Sequence, residues 1–231
     1  MSKHFRVPEV LGVGARVAVD GHRFVRVLRA RAGSTFTVCD GAGALWQARV
    51  TGLEPFALDV VGPAAAPDRN PSVELEVWVP LLKGGRTDDL VRQLTELGAT
   101  RIVPFASRHA VVRLDAARAA DRHQRMQAIV REAGNQCGRT LLPEVAAPVD
   151  GLPSAGPGAF LWEGGGAPAR EVLAGGAARI LVGPEGGLGD DEAQRLGALG
   201  WTAATLGPRI LRAETAVVTF TVMALAALGE L

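Results

Sequence analysis

The chain has 231 residues, 48% of them hydrophobic and 21% charged, with a formal net charge of +1. That balance predicts a soluble, folded protein with one large core or two modest ones. Its cysteines, Cys39 and Cys137, lie far apart in sequence and outside any Cys/His cluster, which excludes a disulfide framework and a zinc centre; no metal site is expected, and a reducing cytoplasm fits.

The opening segment, MSKHFRVPEV, lacks the apolar core of a signal peptide. The longest apolar stretch, AVVTFTVMALAAL (216–228), is too short to cross a bilayer, so no membrane role is expected. Near-neutrality taken alone argues against a nucleic-acid partner, but the distribution overturns that inference. Residues 1–70 carry a net +3 and residues 83–139 a net +5, while residues 140–231 carry −5. Two basic segments are masked by an acidic tail half.

In chain order, DGHRFVRVLRA (20–30) is a helical candidate opening on Asp20. STFTVCD and LWQARVTGL alternate around GAG and predict a hairpin, with FALDVVG as a further strand. GPAAAPDRNPS (62–72) holds three prolines and marks a domain boundary, so domains are expected over 1–70 and 73–231. Beyond it the pattern changes. VELEVWVPLL is a strand, RTDDLVRQLTELG a helix with Thr87 as N-cap and Gly98 as stop, and TRIVPFAS a strand.

AARAADRHQRMQAIVREAGNQC follows as a long helix with Met126, Ile129, Val130 and Ala133 on one face; Arg118, Arg122 and Arg125 on the other read as a solvated face. AFLWEG and ARILVGPEGG are strands, GDDEAQRLGALG a helix, TAATLGP a strand, and a closing helix starts near Glu214. Such alternation predicts an α/β domain on a mostly parallel sheet, with ligands at the carboxyl ends of the strands.

LVGPEGGLGDDE (181–192) sets glycines after a buried strand, but no lysine follows them and Glu185 stands where a phosphate would be repelled. A nucleotide hydrolase is disfavoured on that ground. A second turn, LGPRILRAET (206–215), also follows a strand. Two such turns at consecutive strand ends are expected to lie side by side and form one backbone-lined pocket.

Together with KGGRTDDLVRQLTELGATRIVPF, EAGNQCGR and VDGHRFVRVLRARAG, these two segments resemble the bacterial small-subunit ribosomal RNA uridine N3-methyltransferases, of the trefoil-knotted SPOUT class, over essentially the whole chain. The resemblance implies a C-terminal, mostly parallel, knotted sheet with helices on both faces behind an N-terminal PUA-like β-barrel. It also implies a homodimer that uses S-adenosyl-L-methionine to methylate N3 of a uridine in 16S ribosomal RNA of the small subunit.

By the same resemblance Gly183, Pro184, Glu185, Gly186 and Gly187 form one cofactor loop, Leu206, Gly207, Ile210 and Leu211 a second, and Leu161 and Trp162 a third wall. A cationic sulfonium, unlike a phosphate, tolerates the glutamate. Removal of the uracil N3 proton needs a base or a stabilising cation. Arg212 is the favoured stabiliser of the uracil anion, because a guanidinium offers fixed donors. Glu214 is either the base or a helix cap, and Thr215, set with the cofactor contacts, bonds either substrate or backbone.

Arg23, Arg26, Arg29, Lys83, Arg86, Arg108, Gln136 and Arg139 are the candidate RNA contacts. His22 and Cys137 read as structural. The competing readings are a knotted methyltransferase with another base or ribose target, and a non-catalytic RNA-binding assembly factor.

Overall fold

The computed structural model describes residues 4–7, 12–18, 21, 25, 29–39, 41, 43–64 and 69–231. Most of the predicted helix over 20–30, with Asp20, His22, Arg23 and Arg26, lies outside the described residues. The chain divides into two compact units, Met1–Asn70 with Gly134–Leu142, and Pro71–Ala133 with Pro143–Leu231.

Among the described residues the first unit holds a five-stranded sheet: β1 (His4–Arg6), β2 (Arg16–Ala18), β3 (Thr35–Cys39), β4 (Leu45–Leu53) and β5 (Phe56–Pro63), in the order β1-β3-β4-β5-β2. β3, β4, β5 and β2 pair antiparallel, and β1 joins β3 in parallel. Strict alternation in β4 and β5 sends Ala48, Val50, Leu58 and Val60 inward, where they meet Val38 and Phe56. On the outer side Arg16 Nε donates to Asp59 Oδ1 at 2.9 Å, and that hydrogen bond holds the Asp59 carboxyl below its ordinary range. Asn70 clamps the returning segment: its Oδ1 accepts from the amides of Thr140 and Leu141 at 3.0 and 2.7 Å.

The second unit is built on a parallel sheet. In chain order it contains β6 (Glu76–Pro80), α1 (Arg86–Leu97), β7 (Arg101–Ala106), α2 (Ala116–Cys137, whose last turn belongs to the first unit), β8 (Glu144–Val145) and β9 (Val149–Asp150). There follow β10 (Gly158–Leu161), β11 (Ala167–Pro168), α3 (Ala169–Leu173), β12 (Arg179–Val182), α4 (Asp190–Ala198), β13 (Trp201–Thr205) and α5 (Ala213–Ala227). The strand order is β11-β13-β10-β12-β6-β7-β8, with β9 also on β7, and every pairing is parallel.

At the amino ends of four neighbouring strands the registered residues are Arg179, Glu76, Arg101 and Glu144. They form a continuous ladder of alternating charge, with contacts of 2.9, 3.1 and 2.5 Å. Opposite charges at facing positions reward this register and no other. One sheet face buries Phe105, Phe160, Leu181 and Trp201 beneath Leu196 and Ala193 of α4, with the half-buried Trp78 packed against them. The alternate residues, Val77, Val79, Ile180 and Val182, are also buried, on the side where α1, α3 and α5 pack together.

α5 begins at Ala213 and buries Val217, Phe220, Thr221, Ala224 and Leu225. In α2, Met126, Val130 and Ala133 are buried, in keeping with the expected apolar face. The arginine row does more than solvate: Arg122 Nη2 and Arg125 Nε sit 3.1 and 2.7 Å from the carboxylate of Asp88, which is nearly inaccessible in the first turns of α1.

Thr87 is not the N-cap of α1. Gly85 takes that place, and Gly98 ends the helix, donating its N–H to Leu94 O. Thr87 lies one residue inside, fully buried; its Oγ1 accepts from Leu82 N–H at 2.7 Å and donates to Pro80 O at 3.2 Å. It therefore ties the end of β6 to the start of α1. Thr87→Val keeps the shape but leaves Leu82 N–H without its acceptor, and is expected to cost about 1–3 kcal/mol in urea unfolding.

Candidate functional site

Leu161, the last residue of β10, pairs with Val182 of β12 on one side and Ala204 of β13 on the other. Three parallel strands thus end at one level, and the loops that follow them enclose a cleft of about 510 Å³. This corrects the expectation that the two glycine turns lie side by side. β12 and β13 are not neighbours, because the connection through α4 carries the chain past β10, which lies between them.

Of the residues expected at a cofactor site, Leu161, Trp162, Gly183, Pro184, Glu185, Gly187, Leu206, Gly207, Ile210 and Leu211 line this cleft, as does Arg212. Gly186, Thr215 and Glu214 are absent from its lining. Gly186 faces elsewhere, since a β-carbon added to it would stand 3.1 Å from both Cβ and O of His109. Thr215 is exposed on the first turn of α5. Sequence reasoning missed Glu163, Leu188, Thr205 and Arg209, which also line the cleft and directly adjoin the residues it singled out.

The β12 loop owes its shape to two features. Gly187 has φ of 68°, in the left-handed region that a side chain disfavours. Leu188 is buried, and its carbonyl accepts from Trp162 Nε1 at 3.3 Å, which joins the β12 loop to the β10 loop. Glu192 holds the far end. Its buried carboxylate accepts from Gly189 N–H at 3.0 Å and, through the other oxygen, from Arg108 N–H at 2.9 Å. One side chain so fastens the β12 loop to the segment after β7. The Glu three residues beyond a helix start is the available sequence signal for that role.

The electrostatics centre on Arg86. Its Nη2 donates to Glu185 Oε1, its Nη1 lies 3.6 Å from Glu214 Oε2, and its Nε donates to the carbonyl of Lys83 at 3.1 Å. Glu214 Oε2 is buried and has no hydrogen-bond partner. α5 starts without a side-chain cap, so Glu214 serves the helix start by charge alone. Arg212 is exposed at its N-cap position.

The basic residues fare unequally. Arg139 is 3% exposed and donates Nε to Leu141 O at 3.1 Å, so burial removes it from the set poised for phosphate contact. Arg108 pairs through Nη1 with Asp191 at 3.0 Å, and Arg86 is engaged as above. Arg29, Lys83 and Gln136 are exposed. Among the described residues no group of three or more His, Cys, Asp or Glu could hold a metal ion, and no helix is long and apolar enough to cross a membrane.

Glu192→Ala strips two backbone amides of their acceptor. It is expected to lower stability by about 1–3 kcal/mol and to speed amide exchange at Gly189 and Arg108, measured by thermal unfolding and hydrogen exchange.

Comparison with known proteins follows the same division of the chain. An RNA methyltransferase domain family matches residues 68–226, and an RNA methyltransferase PUA domain family matches residues 22–61. A ribosomal RNA small subunit methyltransferase E from Synechocystis is 32% identical over 84% of this chain and 67% of its own length. The protein of the same name from Mycobacterium bovis is 30% identical over 98% and 91%. A crystal structure of a ribosomal RNA small subunit methyltransferase E from Neisseria gonorrhoeae, bound to S-adenosyl methionine, is 31% identical, covers 98% of both chains and superposes with a TM-score of 0.84. The SPOUT-type parallel sheet, the PUA-like N-terminal unit and these matches place the chain in the RNA methyltransferase family of the small-subunit methyltransferases E.

Proposed function

We propose that the protein is an S-adenosyl-L-methionine-dependent methyltransferase acting on N3 of one uridine of 16S ribosomal RNA, with the assembled small subunit as substrate. The observation that carries this reading is the cleft at the ends of β10, β12 and β13, in a chain 31% identical to a relative crystallised with that cofactor.

The residues present suit the cofactor. Leu161, Leu206, Ile210, Leu211 and the Trp162 indole offer apolar surface to an adenine, and the glycine loop lets backbone amides and carbonyls approach closely. Glu185 places a carboxylate on the cleft and no lysine stands in the loop, which suits a cationic ligand and not a phosphate. When bound, the cofactor supplies an electrophilic methyl group.

The chain must then generate a nucleophile from an imide nitrogen. Arg212, on the cleft and exposed, stabilises negative charge on the uracil oxygens with donors fixed in one plane. Glu214 stands two residues on, outside the cleft lining, and its carboxylate is the candidate acceptor of the N3 proton. The PUA-like unit and the exposed Arg29, Lys83 and Gln136 contact the ribosomal RNA, as do Arg23 and Arg26. The protein works as a cytoplasmic homodimer, and the last strands and loops form the knot typical of the SPOUT class.

The test is transfer of labelled methyl from S-adenosyl-L-methionine to small subunits that lack the modification, followed by mass-spectrometric mapping. Label on N3 of a single uridine is expected; label on a ribose or another atom would discard the substrate, and absence of both transfer and cofactor binding would discard the activity. Arg212→Ala is expected to lower kcat by about 10²-fold with the cofactor Kd little changed, and Glu214→Gln to lower kcat by about as much.

A further inference from the structure

We infer that Arg86 is the positioning residue of this site: its guanidinium holds the carboxylates of Glu185 and Glu214 together and so fixes the β12 loop and the first turn of α5 before any ligand arrives. The kinetic consequences rest on the methyltransferase reading above; the geometry does not.

Three segments remote in sequence meet at this one group. Arg86 opens α1, Glu185 lies in the β12 loop on the cleft wall, and Glu214 is in the first turn of α5. Two donors make hydrogen bonds, Nη2 to Glu185 and Nε to the Lys83 carbonyl, and Nη1 faces Glu214 as an ion pair at 3.6 Å. The last contact anchors the side chain to its own turn, so the fork is aimed.

An isolated exposed ion pair contributes little. Here the three side chains are only about a third exposed, at 36%, 38% and 29%, and one cation separates two carboxylates that would otherwise repel. Glu214 Oε2 is buried and makes no hydrogen bond, and Arg86 faces it as a counter-charge at 3.6 Å. A lysine cannot reproduce the arrangement, because a point charge on a flexible stem lacks the planar fork that bonds Glu185 and the Lys83 carbonyl while it faces Glu214. The same geometry separates Arg86 from the candidate phosphate contacts, since its donors already point inward.

The experiment compares the full-length wild type with Arg86→Ala, Arg86→Lys, Glu185→Gln and the Arg86→Ala/Glu185→Gln double variant. Hydrogen exchange of residues 183–187 and 213–216 is followed without ligand, cofactor Kd by calorimetry, and kcat and KM on small subunits across a salt series. Arg86→Ala is expected to speed exchange in both segments, and to weaken Kd and lower kcat by about tenfold each, the loss of a charge-assisted contact. KM for the subunit and its salt dependence stay unchanged. Arg86→Lys falls between the two, and in the ligand-free exchange the double variant is no worse than Arg86→Ala alone, because there both changes remove one interaction.

Unchanged exchange in both segments would overturn the inference, as would additive changes in that ligand-free exchange in the double variant. A raised KM with a shallower salt slope would also overturn it, and would make Arg86 a phosphate contact. If Arg86→Ala does not fold, Arg86→Lys and Glu185→Gln decide on the same readouts. If the wild type transfers no methyl while exchange still follows Arg86, the methyltransferase reading fails and the positioning role stands.

Discussion

Leu161 is paired on both sides, with Val182 and with Ala204, and the site follows from that register. In a parallel sheet each strand must leave by its carboxyl end and return by a crossover, so neighbouring strands deliver neighbouring loops to one edge. β10, β12 and β13 do so at one level, and their three loops close the cleft. The register of β12 with the strands beyond it is held at the opposite edge. A one-residue slip of β6 against β7 or β12 would break the Arg179–Glu76–Arg101–Glu144 ladder and turn Trp78 away from Phe105, whose ring it meets edge-on at 5.9 Å. Side chains far from the cleft thus fix β12, one of its three strands, against β6.

Charge is distributed by a related logic. The net +5 of residues 83–139 invites a reading as an RNA-binding surface, yet much of it is engaged within the fold. Arg122 and Arg125 neutralise the buried Asp88, Arg108 pairs with Asp191, Arg139 is buried, and Arg86 serves the two carboxylates beside the cleft. A charge count treats all cationic groups alike, whereas phosphate binding depends on those still free to meet an anion. The exposed Lys83 and Arg29 remain candidates on that criterion.

What could be read in the sequence was what repeats locally. The 22 residues of α2 and the nine of β4 have the bounds that their periodicity indicates, because each spans enough of its own period to be recognised. β8, β9 and β11, of two residues each, and α3, of five, were missed; none is long enough to show a period. Thr87 was mistaken for a cap because a hydroxyl beside a helix start looks alike whether it serves the helix or the preceding loop. The glycine turns were legible for the opposite reason: close backbone approach restricts residue type at the position itself. Their neighbour in space was not, since β10 reaches its place between β12 and β13 through pairings that no local window contains.

Glu185 shows the limit of local reading most directly. Among glycines and without a lysine it looks like an uncompensated negative charge, which is why the loop reads as hostile to phosphate. Its counter-charge is present but stands 99 residues earlier, at the start of α1. In a phosphate-binding loop the cation belongs to the loop and faces the ligand. Here it comes from the first turn of a helix remote in sequence and faces the loop's own carboxylate, so it stiffens the loop without lending it a phosphate-seeking charge. The wall of the cleft keeps its backbone groups and a partly compensated carboxylate, a combination suited to a ligand that is cationic at one end and hydrogen-bonding at the other.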